Sequence, residues 1–145
     1  MNTFTFSDIR TGMAASFPVK ITQEMQNMFL HISGDVNPLH KDIRWSKSCG
    51  YPQPLVYGML TASFYSTLIG VYLPGKYALF QECSIAFVQP VYVNDELTVQ
   101  GTVTEINETF KRITVKAEIL RNGKKVSRAK LYAGFVENNA EVHHE

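Results

Sequence analysis

Hydrophobic and polar positions change period twice along this 145-residue chain. From Gly12 to Ile21 the run Met-Ala-Ala-Ser-Phe-Pro-Val-Lys-Ile reads as a short strand. Pro18 cannot donate to a ladder, so it confines that strand to an edge or a strand end. Ile21, Met25, Met28, Phe29 and Ile32 then recur at helical spacing, with Thr22 as N-cap and Gly34 as the stop. His31 falls off this stripe, near Asn27, and reads as a solvated helix residue. Asp42 caps a short helix through Ile43, Trp45 and Ser48 before Gly50 and Pro52 break it. From Gly58 to Tyr72 no residue is charged, and a helix that is apolar or small on every face is expected to be buried on every face. It is shorter than the ~20 residues of a membrane helix, so a layer of protein must cover it.

That layer follows in sequence. Tyr77–Val91, Asp95–Ile106, Thr109–Arg121 and Lys124–Phe135 are rich in Val, Ile, Thr, Tyr and Phe, and Thr114 to Leu120 alternates with period two. Turns are marked at Val93-Asn94-Asp95, at Asn107-Glu108 and at Asn122-Gly123, the last a strong hairpin signal. Residues Met1 to Thr11 form a leading arm able to lie on the surface through Phe4, Phe6 and Ile9. An N-terminal strand, a buried helix and an antiparallel meander predict an α+β domain whose sheet curls around one long helix.

Composition narrows the function classes. The length suits a single domain over 1–136 with a polar tail over 137–145, in which His143 and His144 are given no specific role. Fourteen basic and thirteen acidic side chains leave a charge of +1, which argues against a nucleic-acid partner read by bulk charge. Cys49 and Cys83 lack zinc spacing and the polar N-terminus has no signal-peptide pattern, so two reduced thiols in the cytoplasm are expected. No apolar run is long enough to span a membrane. His40 has no second His or Cys at ligand spacing, so neither a metal nor another cofactor is expected.

The most informative stretch is Ser33-Gly34-Asp35-Val36-Asn37-Pro38-Leu39-His40, which places a carboxylate, an amide and an imidazole around a rigid Asn-Pro step. A residue before proline is pushed out of the helical region, so the chain leaves its helix near Gly34, runs extended through Asn37 and turns at Pro38. Asp35 and His40 can then face one another, and a carboxylate and an imidazole around one water can move protons at neutral pH. The competing reading is a solvated Asp-Asn-Pro turn, and on turn chemistry alone it is the stronger.

Three blocks together resemble the MaoC-like hydratases of the hot dog fold, which include the (R)-specific enoyl-CoA hydratases. They are Gly34-Asp35-x-Asn37-Pro38-Leu39-His40-x-Asp42, then Gly58-Met59-Leu60-x-Ala62-Ser63 leading to Leu73-Pro74-Gly75, then Phe87-x-x-Pro90-Val91-x-x-x-Asp95-x-Leu97-Thr98. The resemblance implies a sheet wrapped around a central helix, subunits joined edge to edge as a homodimer or dimer of dimers, and an acyl thioester of coenzyme A or acyl carrier protein as partner. It implies Asp35 and His40 as the catalytic pair holding a water, and Asn37 as the residue that fixes the loop or that water. It further implies Gly58 as the backbone donor to the thioester carbonyl, and Ser63 as a hydroxyl near the aspartate. A helix N-terminus independently suits Gly58 to that role, because its free N–H groups and partial positive charge would meet a developing enolate. Ser63 bonded back to its own helix is an equal alternative. Tyr57 stands where the family usually has His, and Asn94 where it has Gly. Tyr57 could therefore alter the acyl pocket, the carrier or the reaction, whereas Asn tolerates a left-handed backbone.

The leading function is reversible addition of water to a trans-2-enoyl thioester, giving the (R)-3-hydroxyacyl thioester. A thioester hydrolase on the same fold would need a carboxylate at the carbonyl, for which Glu82 and Asp95 are the mid-chain candidates. A non-catalytic acyl-thioester binder would have no use for a paired acid and base. Acyl chain length, carrier and pathway are not encoded in any motif, although Lys41, Arg44 and Lys47 lie near enough to the loop to meet carrier phosphates.

Overall fold

The computed structural model describes residues 1–138. Strands β1 (Ala14–Lys20), β2 (Ala78–Phe87), β3 (Glu96–Asn107), β4 (Arg112–Arg121) and β5 (Lys124–Phe135) form one antiparallel sheet in the order β1-β3-β4-β5-β2. Three helices accompany it: α1 (Gln23–Ser33), α2 (Ile43–Ser48) and α3 (Gly58–Thr67), the last running on as a π-helical turn over Leu68–Tyr72. This is the α+β arrangement expected, a sheet around one helix. No helix among the described residues is long and apolar enough to cross a membrane.

Local chemistry sets the boundaries. The Thr22 hydroxyl accepts from the Met25 N–H at 3.1 Å, and Gly34 closes α1 in the left-handed region at φ 67°, where a side chain would be strained. Asp42 caps α2 by accepting from the N–H groups of Arg44 and Trp45. Asn122 and Gly123 both have positive φ, 51° and 74°, which matches the twist of the β4-β5 hairpin. Pro18 lies on β1, an edge strand that among the described residues pairs only with β3.

Alternation along the strands turns one face of the sheet onto α3. Val99, Val103, Ile113, Val115, Ile119 and Leu131 are fully buried, and they meet Tyr65, Leu68 and Ile69 from the helix side. Each such side chain contributes about 1.5–3 kcal/mol by leaving water. Gly101 lets the two layers come close, since a Cβ there would lie 2.7 Å from Leu68 Cδ2. One polar pair crosses this core: the Tyr65 hydroxyl donates to Ser127 Oγ at 2.8 Å, and burial pushes the phenol up to about 12.

Four expectations need correction. β3, β4 and β5 make a meander, but β2 pairs with β5 and not with β3, because periodicity specifies strands and leaves their neighbours open. The central helix is not covered on every face: Met59, Ser63 and Ser66, spaced by single turns, are exposed on the side the sheet does not reach. On α1, Met28 and Ile32 of the predicted stripe are 55% and 80% exposed, while Gln26 is buried beside Met25, Phe29 and Leu30. The leading arm is partly inside, with Ile9 buried after a short 3-10 turn over Phe6–Asp8. Of the C-terminal tail, Asn139 to Glu145, with His143 and His144, lie outside the described residues.

The Tyr65–Ser127 pair yields a direct test. Tyr65→Phe leaves a buried serine hydroxyl without its donor and should cost about 1–3 kcal/mol in chemical denaturation. Adding Ser127→Ala should recover part of that loss; a double variant less stable than Tyr65→Phe would show that the hydrogen bond is not the cause.

Candidate active site

The loop leaving α1 is built from its own side chains. The Asp35 N–H donates to Ser33 Oγ at 3.2 Å, the Asn37 N–H to Asp35 Oδ1 at 3.1 Å, and the Leu39 N–H to Asn37 Oδ1 at 2.9 Å. Asn37 thereby starts the 3-10 turn Pro38–His40. These are the side-chain-to-backbone turns that Asp and Asn favour. Asp35 is exposed and its second carboxylate oxygen has no hydrogen-bond partner among the described residues. No hydrogen bond joins Asp35 to His40.

His40 is half-buried and oriented from two sides. Its Nδ1 lies 2.8 Å from the Leu55 carbonyl oxygen, and its ring stacks on Tyr57 with centroids 4.2 Å apart. A carbonyl can only accept, so Nδ1 carries the proton and Nε2 presents a lone pair in the neutral ring. Nε2 has no partner among the described residues.

Tyr57, buried at 2% exposure, belongs to the support of the site. Its hydroxyl donates to the Asp35 carbonyl at 2.5 Å, and its ring packs between His40 and Phe29, whose centroid is 4.9 Å away. Burial, and secondarily the Asp35 carboxylate, push the phenol above its ordinary value near 10. It therefore stays protonated and able to donate at neutral pH; the contribution is complete below pH 10 and fades only as pH rises through the raised value.

Gly58 opens α3, and among the described residues no acceptor meets its N–H. A Cβ there would come within 3.0 Å of the Phe87 ring. His40 and Gly58, with Leu55, Thr61, Phe87 and Val91, line a cavity of about 360 Å³. Asp35, Tyr57 and Ser63 do not line it. The Ser63 hydroxyl donates to the Leu60 carbonyl at 2.6 Å, the bond back to its own helix. A larger depression of about 640 Å³ on β1, β3 and β4 contains none of the loop residues; Lys125 and Glu118, paired at 3.0 Å, line it. The smaller cavity is the candidate site, because His40 and the first residue of α3 both line it; His40 also lines a second cavity of about 260 Å³ with Gln26 and Tyr57.

Sequence reasoning missed Gln26. Its amide nitrogen lies 3.1 Å from both the His40 and the Leu55 carbonyl oxygens, and its oxygen accepts from the Tyr57 N–H at 3.3 Å. These partners are 14, 29 and 31 residues away, so no local signal marks them. The mid-chain acids are both engaged: Glu82 with Arg112 at 2.7 Å, and Asp95 with Arg121 and the Tyr92 N–H. Lys41, Arg44 and Lys47 are exposed. Among the described residues no group of three or more His, Cys, Asp or Glu could hold a metal ion.

The chain is similar to known proteins in sequence and fold. The MaoC like domain family model matches residues 6–125. The (R)-specific enoyl-CoA hydratase of Aeromonas caviae is 38% identical over 95 residues, which are 66% of this chain and 71% of that protein. The (R)-specific enoyl-CoA hydratase of Rhodospirillum rubrum is 31% identical over 121 residues, 83% of this chain and 84% of that protein. A solved structure of an (R)-hydratase from A. caviae involved in PHA biosynthesis superposes with a TM-score of 0.83 at 29% identity, covering 88% of this chain and 98% of that one.

The brace on the loop can be measured. Tyr57→Phe removes the bond to the Asp35 carbonyl and should cost about 0.5–1.5 kcal/mol. Amide hydrogen exchange at Asn37 and Leu39 should quicken; unchanged exchange at both would mean that the hydroxyl does not hold the loop.

Proposed function

Because the chain belongs to the MaoC-like domain family, we propose that it is a hydro-lyase that reversibly adds water to a trans-2-enoyl thioester to give the (R)-3-hydroxyacyl thioester. The observation that carries this reading is the convergence of His40 and Gly58 on one cavity, each with an unused polar atom. The relatives' names support coenzyme A as the carrier, and the exposed Lys41, Arg44 and Lys47 offer cations for its phosphates.

Water must lose a proton as its oxygen attacks Cβ, and Cα must gain one as the enolate collapses. His40 Nε2 and the free oxygen of Asp35 are the two acceptors that would grip that water; the one that takes its proton as the C–O bond forms returns it to Cα as the enolate collapses. The Gly58 N–H, at the positive end of α3, meets the carbonyl oxygen as charge builds on it. Asn37 serves through the loop it holds, and Tyr57 through its contacts with both members of the pair. Ser63, committed to its own helix, is given no part in the proton transfers. A thioester hydrolase has less support, because its candidate acids Glu82 and Asp95 are both ion-paired.

The chemistry is tested by measuring hydration of crotonyl, hexenoyl and longer enoyl thioesters on both carriers. Asp35→Asn and His40→Ala should each lower the rate by about 10²–10⁴, and the double variant should be scarcely worse than either. Fully additive losses would refute a shared water, unchanged hydration in Asp35→Asn would remove Asp35 from the mechanism, and no hydration of any thioester by the natural protein would move it to the binding or hydrolase class.

The proposal extends to assembly. Among the described residues β2 carries an outer edge with no strand beside it, while the other edge strand, β1, is blunted by Pro18. Pairing β2 with its copy would give the expected homodimer or dimer of dimers. Sedimentation at micromolar concentration should show a dimer or larger, and a monomer alone would overturn this part of the reading.

A further inference from the structure

We infer that Gln26 is a positioning residue that holds His40 in a single tautomer, with Nε2 as the nitrogen that exchanges protons; the inference rests on the hydratase reading for its consequence and on geometry for its content. Two carbonyl oxygens, those of His40 and Leu55, approach the same point, each 3.1 Å from Gln26 Nε2. Two converging carbonyls repel unless a donor stands between them. The amide orientation is fixed by its surroundings, since both carbonyls can only accept and the Tyr57 N–H, 3.3 Å from Oε1, can only donate. Every polar capacity used here is matched, at a side chain only 5% exposed.

The consequence falls on the imidazole. The Leu55 oxygen takes one hydrogen bond from Gln26 and its second, at 2.8 Å, from His40 Nδ1. Gln26 holds that oxygen on one side and the backbone carbonyl of His40 on the other. The ring is thereby fixed to the segment that leads into Gly58, so the imidazole and the helix N–H keep one spacing. Without the amide the two carbonyls swing apart, Nδ1 loses a fixed acceptor, and the ring is free to carry its proton on Nε2, where it can no longer accept one from water.

The test reads the tautomer directly in the resting protein and turnover separately. Isotope-labelled histidine and long-range proton–nitrogen correlation, with His40→Gln to assign the signal, should show one tautomer protonated at Nδ1 in the natural protein. Gln26→Met should give a mixture of tautomers and a kcat lower by up to about 10²-fold, with KM for crotonyl-CoA nearly unchanged. Gln26→Glu keeps an acceptor for Tyr57 and nearly the same size, so it serves where Gln26→Met fails to fold. Its kcat should fall as pH rises through the titration of the new carboxyl, a limb the natural protein lacks, because the ionised form puts no donor between the two carbonyls. A single Nδ1-protonated signal in folded Gln26→Met, or a natural pH profile in Gln26→Glu, would overturn the inference. Absence of hydration by the natural protein on every thioester would overturn the functional reading alone, because the tautomer signal would still decide the role of Gln26.

Discussion

Burial of an uncharged helix against one face of a twisted sheet is the constraint from which the rest of this structure follows. Tyr65, Leu68 and Ile69 have no exposure beyond traces, and together with the strand residues they meet they contribute several times the ~1.5–3 kcal/mol of a single buried side chain. The depth of the helix is fixed by Gly101, where the sheet would otherwise push back. Once depth and direction are fixed, so is the position of the helix N-terminus. The Gly58 N–H therefore rests on the largest block of burial in the molecule, which is where a donor that must not move is best built.

The Asp35–His40 loop has no such block beneath it. Its own turns are short-range, and Asp35 is exposed. What ties it to the helix is a small bracket of polar contacts: Tyr57 reaches the Asp35 carbonyl, Gln26 reaches His40, Leu55 and Tyr57, and the Leu55 N–H reaches the Leu39 carbonyl at 3.0 Å. Each bond is modest alone, on the order of 1 kcal/mol. All but the Gln26 bond to the His40 carbonyl attach within residues 55–57, immediately before Gly58. Rigidity is thus passed from the core to the loop through three residues.

How much of this was legible in the sequence follows from the range of each interaction. Thr22, Gly34, Asp42, Asn122 and Gly123 act within a few residues, and the elements they bound occur where the spacing predicts them. The Asp35 to His40 turn was legible for the same reason. The partner of β2, the open stripe on α3 and the burial of Gln26 depend on contacts made far along the chain. The α1 stripe shows the failure most plainly: an apolar Ile32 lies in solvent while Gln26 is buried, because three backbone groups needed an amide and none needed a methyl. Tyr57 was visible as a departure from the family pattern, but its role was not, since a phenol aimed at a backbone carbonyl leaves no mark in sequence.

The exposure of Asp35 bears on what can be laid over the loop. A carboxylate in water is well solvated, and covering it without supplying a partner for its charge is costly. Its sequence neighbours Ile32 and Val36 are 80% and 65% exposed, and both are apolar. Anything laid over them, whether an acyl chain or a second subunit, would remove water from around Asp35 at the same time. The loop is built to survive that change, because Asn37 and Tyr57 hold Asp35 through one carboxylate oxygen and its backbone carbonyl and leave the other oxygen free.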